Sequence, residues 1–302
     1  MNRFPRTARP HPGAAGFILT PRSQVVAEHI GRLAIRALYH EVALYPKPGL
    51  VSPVDGGAHR DMTISTFYRS LFALRGYFPA IAAMGAELPA LPVLQRRGME
   101  AETAMLRATN GVNTHRGAIF NLGLLCAAAG AVVATNATCS ADAVCTKLRR
   151  TWGRAIRRDL AAAGDGTHGL RMARIFGIGG ARGEAASGFR SVRIHALPAF
   201  REAVTRTGER DRASVQALFA LIAHVADTNL LWRGGREGLA FGQCAARHFL
   251  KRGGVLAVDW RAMAVGLHHE FIRRGLSPGG SADLLAVTLF LDELDTASRA
   301  EP

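Results

Sequence analysis

The chain has 302 residues, 48% hydrophobic and 20% charged, which is ordinary for a globular protein and ample for a full core. Its net charge of +15 is carried almost wholly by arginine, with lysine only at Lys47, Lys147 and Lys251. That charge favours anionic partners, but no tract interleaves aromatic with basic residues as single-strand nucleic-acid binding requires. The four cysteines, Cys126, Cys139, Cys145 and Cys244, form no C-x-x-C pair. Their spacing argues against a zinc knuckle and a disulfide framework and fits reduced thiols in a cytoplasmic protein.

The first 21 residues, rich in Arg and Pro, read as a flexible tail without the apolar core of a signal peptide. From residue 22 to 302 the pattern is a single all-α globular domain of ten or more helices. Segment 22–44 places Val25, Val26, Ile30, Leu33, Ala34, Leu38 and Val42 at a 3.6-residue period, and Pro46 and Pro48 stop it. Thr63 or Ser65 can cap the next helix, which carries Phe67, Leu71, Leu74 and Phe78. Further helices are expected near 92–109, 116–134, 139–163, 168–176, 195–206, 211–226, 236–252, 258–274 and 281–295. The run 117–135 approaches the length of a membrane span, but it holds Asn121 and many small residues, so a buried central helix is expected.

Five interhelical segments mix glycine with charged or hydrogen-bonding residues: "PKPGLVSPVDGGAHRDM" (46–62), "GVNTHRGAIF" (111–120), "GARGEA" (180–185), "DTNLLWRGG" (227–235) and "SPGGSADLLA" (277–286). Helix connections need only a few polar residues, so this surplus marks Gly-rich loops as the site. Gly279, Gly280 and Ser281 open an apolar helix and can present free N–H groups to a phosphate. His115 and Arg116 sit in the first turn of another helix, where the macrodipole disfavours cations and a ligand anion would favour them, with Asn113 or Thr114 as a normal cap. Asp55, Asp61, Glu184, Asp227 and Asp283 supply the oxygen ligands that Mg²⁺ takes, and His59 is a candidate general base or loop anchor. Composition and spacing thus reach a helical, Mg²⁺-using enzyme that handles polyphosphate, with no named reaction.

These same segments resemble the triphosphoribosyl-dephospho-CoA synthase family. Its pattern runs PKPGLV, GAH-x-DM, GVNTH-K/R-G, GARGEA, DTN with RGG, and SPGGSADLL; all six blocks stand here in that order over roughly 41–295. The resemblance implies an all-helical pentosyltransferase that joins ATP to 3′-dephospho-CoA and releases adenine. The product would be the prosthetic-group precursor for the acyl carrier protein of malonate decarboxylase or citrate lyase, passed on to a holo-transferase. No nucleic acid and no membrane are expected as partners. On the motif positions, His59, Asp61, Glu184 and Asp227 are the catalytic candidates. Lys47, Asn113, His115, Arg116, Arg182, Asn229, Arg233, Gly279, Gly280 and Ser281 are the candidates for substrate and phosphate, and Asp61, Asp227 and Asp283 for Mg²⁺. The chain departs from the pattern at Ser52, where Asp is common, with Asp55 a possible replacement. Two other readings stand beside this one: a Mg²⁺-dependent helical N-glycoside hydrolase and an Arg-rich nucleic-acid-binding protein.

Overall fold

A computed structural model describes residues 21–162 and 166–300, so the expected tail lies outside the described residues but for its last position. In chain order the helices are α1 (Pro21–Ala43), α2 (Ile64–Leu74), α3 (Tyr77–Gly85), α4 (Leu91–Ala108), α5 (Arg116–Val133), α6 (Ala141–Thr151) and α7 (Gly153–Ala162). There follow α8 (His168–Phe176), α9 (Gly180–Ser187), α10 (Leu197–Thr207), α11 (Arg210–His224), α12 (Thr228–Lys251), α13 (Trp260–Arg273) and α14 (Gly279–Ala300). A π-helical turn, Val192–Ala196, leads into α10, and a 3₁₀ turn, Gly254–Leu256, precedes α13. No strand occurs among the described residues, so the all-α expectation holds.

Several boundaries differ from the sequence pattern, each for a local reason. The helix expected to run through Phe78 is two, α2 and α3. Pro79 has no N–H to donate back across the junction, and it is tolerated because it falls in the first turn of a new helix, where N–H groups have no intrahelical partner. The helix expected over 139–163 breaks before Gly153, where Trp152 is buried and its indole N–H donates to the Pro89 carbonyl at 2.8 Å; residue 163 lies outside the described residues. The segments "GARGEA" and "DTNLLWRGG" are not loops but lie in α9 and the start of α12. The expected start of α12 near 236 marks instead a bend within it at Gly235, whose φ is 60°.

The core forms around α5. Its leucines and small residues bury on every side, with Leu122, Leu125, Cys126 and Ala127–Ala129 fully enclosed. By length and composition α5 is the one single described helix apolar enough to cross a membrane, and it is mostly buried. It packs on α1, α3, α4, α6 and α14. The α3–α5 crossing is set by two glycines: a Cβ on Gly85 would overlap the Ala127 carbonyl, and one on Gly130 would overlap the Ala82 carbonyl. Backbone there approaches backbone, which a side chain forbids.

Gly130→Ala should therefore destabilise the chain by about 1–3 kcal/mol, although alanine is the better helix former by about 1 kcal/mol. Chemical denaturation would check this, and a gain in stability would show that the two helices do not meet this closely.

Candidate active site

The N-termini of α5, α12 and α14 converge on one side of the core, and a cleft of about 1130 Å³ opens above them. Lys47, His59, Asp61, Asn113, His115, Arg116, Arg182, Glu184, Asp227, Asn229, Arg233, Gly279, Gly280 and Asp283 all line it. All five segments thus contribute side chains to one cavity, and the last also contributes its helix start; of the expected site residues Ser281 and the acidic candidate Asp55 stay outside the lining.

Asp227 is 1% exposed and caps two helices at once. Its Oδ1 accepts from the backbone N–H of Asn229 (2.8 Å) and Leu230 (3.3 Å) in α12 and of Gly280 (3.4 Å) in α14. Its Oδ2 accepts from the Ser281 N–H (2.7 Å) and hydroxyl (2.9 Å). Burial pushes this carboxyl up from the ordinary range, and the hydrogen bonds from Ser281, Asn229 and Leu230 pull it back down. Two expectations are corrected here. Asp227 is not a free carboxylate, because both oxygens are engaged by donors. The Gly279–Gly280–Ser281 helix start does not offer its Gly280 and Ser281 N–H groups to a phosphate, because an internal anion already holds them. Gly280 is needed for that contact, since a Cβ there would stand 3.1 Å from Oδ1.

Asp283 is the second carboxylate at this junction. The residue keeps some surface toward the cleft, but its carboxyl is enclosed against Gly117, where a Cβ would overlap it, and it accepts from the Ala118 N–H at the start of α5. Burial first, then the nearby carboxylates of Glu41 and Asp227, raise Asp283 well above the carboxylate range, against the pull of the Ala118 N–H. It is therefore a group that holds or accepts a proton readily.

Lys47 lies at the cleft wall and is 2% exposed. Its ammonium donates to the Glu41 carbonyl (2.7 Å), the Glu41 carboxylate (2.9 Å) and the Val42 carbonyl (3.3 Å). An ammonium has three donors, so none is left for a phosphate, and the expected grip is corrected to a buried ion pair that ties the loop to α1. Its carbonyl accepts from His268, whose other ring nitrogen meets Asp55 at 3.0 Å. Ser52 and Asp55 sit outside the cleft lining: the Ser52 hydroxyl accepts from the N–H groups of Val54 (3.2 Å) and Asp55 (3.3 Å), a turn-closing task that Asp performs equally well.

The arginines are arranged differently. Arg116 is held through Nε by Glu102, and Arg182 through Nε by Asp159 at 3.0 Å; both residues line the cleft. Arg233 instead bonds the carbonyls of Ala58 and Gly275 (both 3.1 Å) and the ring of His59 (3.1 Å). It thereby pins the 46–62 loop to the turn before α14. His59 also meets the buried Ser277 hydroxyl at 2.9 Å, and Asp61, exposed, stands 3.8 Å away. Burial and Arg233 push His59 down to about 4, against the pull of Asp61, so it is neutral near pH 7. Asn113 lies two residues before the N-cap of α5 rather than at it, and its Oδ1 accepts from the Arg116 N–H at 3.2 Å; Glu184 accepts from the N–H (3.2 Å) and hydroxyl (2.7 Å) of Ser191.

His115, the N-cap of α5, is buried, and Nδ1 meets the Ser70 hydroxyl at 2.6 Å. Burial and then Lys47 push it down to about 3. Its Nε2 and the Asn121 Oδ1, both at the cleft, have no partner among the described residues, which is costly in a finished interior and natural in a ligand site. Sequence reasoning missed Glu41, Ser70, Ser277, His268, His168 and Trp232. Trp232 and Ser277 had a signal, their places inside "DTNLLWRGG" and "SPGGSADLLA".

The chain matches the family model described as ATP:dephospho-CoA triphosphoribosyl transferase over residues 27–302. The chain belongs to the ATP:dephospho-CoA triphosphoribosyl transferase family. Three relatives carry the name "probable 2-(5″-triphosphoribosyl)-3′-dephosphocoenzyme-A synthase". The Acinetobacter calcoaceticus protein is 42% identical over 88% of this chain and 92% of its own length. The Salmonella gallinarum protein is 43% identical over 91% and 94%, and the Vibrio cholerae protein 40% over 88% and 88%. No solved structure matches. The family resemblance carried by the six blocks and its transferase class thus hold, and neither alternative reading gains support.

For this transferase-family chain, Asp227→Ala should cost about 3 kcal/mol or more, because it leaves two helix starts with buried, unmatched donors. A loss under about 1 kcal/mol in chemical denaturation would contradict the double cap. The histidines add a pH dependence. His59 and His115 lie below their ordinary 6.5, so as pH falls the unfolded chain binds protons first. Stability present above 6.5 is lost as pH drops toward about 4 for His59 and about 3 for His115. The loss from His115 alone should approach about 2 kcal/mol near pH 5, and His115→Gln should flatten the slope. A wild-type stability that stays level from about pH 7 to 5 would contradict this burial.

Proposed function

We propose that the chain joins ATP to 3′-dephospho-CoA, forming 2′-(5″-triphosphoribosyl)-3′-dephospho-CoA and adenine. The 2′-hydroxyl oxygen of dephospho-CoA bonds to C1″ of the ATP ribose as the C1″–N9 bond breaks. The electron pair leaves with adenine, and the proton lost by the hydroxyl balances the one adenine gains. The observation that carries this reading is Asp283 at the cleft floor, an enclosed carboxyl with raised proton affinity, in a cleft also lined by Arg116 and Arg182, cations that suit an intact triphosphate.

In this mechanism the ionised form of Asp283 takes the hydroxyl proton, for which its affinity is high. Arg116 and Arg182, each braced by an acid, hold the triphosphate in place as charge develops on the ribose. The neutral His115 Nε2 and the Asn121 Oδ1 are buried, unpartnered atoms of residues that line the cleft. Lys47, Asp227 and Arg233 position the walls. Asp61 is exposed and Glu184 is held by Ser191, so the acid–base work passes to Asp283.

A resident Mg²⁺ on Asp61, Asp227 and Asp283 does not fit: Asp227 is engaged by donors, Asp61 is exposed, and no cluster of three metal-ligating side chains occurs among the described residues. We place magnesium on the substrate, as Mg·ATP, where phosphate and water oxygens complete its coordination. The product would pass to an acyl carrier protein holo-transferase of malonate decarboxylase or citrate lyase, in the cytoplasm, where the free cysteines stay reduced.

Incubation with Mg·ATP and dephospho-CoA should give the joined product by mass spectrometry and adenine in equal amount; ADP or pyrophosphate as the main co-product would contradict the reaction. Asp283→Asn should lower kcat by about a hundredfold or more. Its melting temperature should hold or rise, since a neutral isostere relieves the crowding with Glu41 and Asp227. Wild-type kcat in that variant would remove Asp283 from the chemistry. Mg²⁺ should be required for turnover yet show no calorimetric binding to the nucleotide-free chain; tight binding there would restore a resident site.

A further inference from the structure

We infer that Trp232 and His168 form a stacking shelf at the cleft rim that receives the adenine ring of a substrate. This deepens the transferase reading and rests on it. The two rings lie face to face, centroids 3.8 Å apart and planes within 13°, and both line the cleft. Trp232 is 42% exposed, whereas Trp152 is 2% exposed and Trp260 part-buried beneath Arg212. A large indole left half in water forfeits the burial that a tryptophan ordinarily gains, and within a cleft the open surface awaits a flat ligand.

The shelf is held rigidly from both sides. Trp232 stands in the first turns of α12, whose N-terminus Asp227 fixes. His168 begins α8, where the Thr167 hydroxyl accepts from the Leu170 N–H at 3.2 Å. Further along the same helix pair, Arg236 lies over the Phe176 ring at 5.4 Å. Of the chemical groups in ATP and dephospho-CoA, only the adenines present a planar π face; phosphates, riboses and a pantetheine arm do not. Stacking on an aromatic surface is the common protein answer to a purine.

The test uses the full chain and two readouts, tryptophan fluorescence and calorimetry, with adenine, ATP, dephospho-CoA and inorganic triphosphate as probes. Saturable quenching by an adenine-bearing probe and none by triphosphate is expected. Quenching by ATP alone would assign the shelf to the leaving base, and by dephospho-CoA alone to the acceptor. Trp232→Phe should abolish the quenching while calorimetric affinity stays within about threefold, and Trp232→Ala should weaken that affinity roughly tenfold or more. His168→Ala should weaken it in the same direction. Affinity unchanged in Trp232→Ala, with adenine still released in turnover, would overturn the shelf and leave the transferase reading standing. No binding of any adenine probe to the wild-type chain would overturn both.

Discussion

The site depends on one carboxylate whose two oxygens are both engaged by helix starts. Asp227 joins the starts of α12 and α14 by accepting from both, and an anion between two positive helix ends is favoured by both dipoles. Without it, two buried helix termini would face each other with like partial charges. With it, α12 carries Trp232 and Arg233 to one wall of the cleft, and α14 carries Asp283 to its floor.

The same junction explains why two aspartates so near each other do different work. Asp227 is surrounded by donors, so its charge is spent on structure. Asp283 receives only the Ala118 N–H and lies near two other carboxylates, so its ionised form is disfavoured and its proton affinity is high. Lys47 and Glu41 follow the same logic as a self-contained pair. Their ion pair keeps one charge from each sign out of the cleft's free chemistry and fixes the loop that carries His59.

Much of this was legible in the sequence. The bounds expected for α1, α5, α8 and α11 fall within two residues of those observed, whereas α14 runs five residues beyond its expected end. The six blocks marked the residues that meet at the cleft, since a chain rarely places glycine, acid and base together without need. Their individual tasks were not legible. Gly-Gly-Ser before an apolar helix reads equally as a phosphate site or as a start waiting for an internal cap, and only the arrival of Asp227, 54 residues away in sequence from Ser281, decides between them. Lys47 between two prolines reads as a loop cation; its burial follows from α1 ending with Glu41 beside it. His168 and Trp232 are 64 positions apart in the sequence and become a pair only when α8 packs on α12.

The most direct test of this cleft as the place where ATP is held is a crystal structure of the chain with Mg·ATP bound. The expected result places triphosphate oxygens within hydrogen-bonding distance of the terminal nitrogens of Arg116 and Arg182, and the ribose above Asp283, with Lys47 still on Glu41 and Asp227 still between α12 and α14. A triphosphate bound through Lys47 or on the N–H groups of Gly280 and Ser281, with Asp227 displaced, would contradict it.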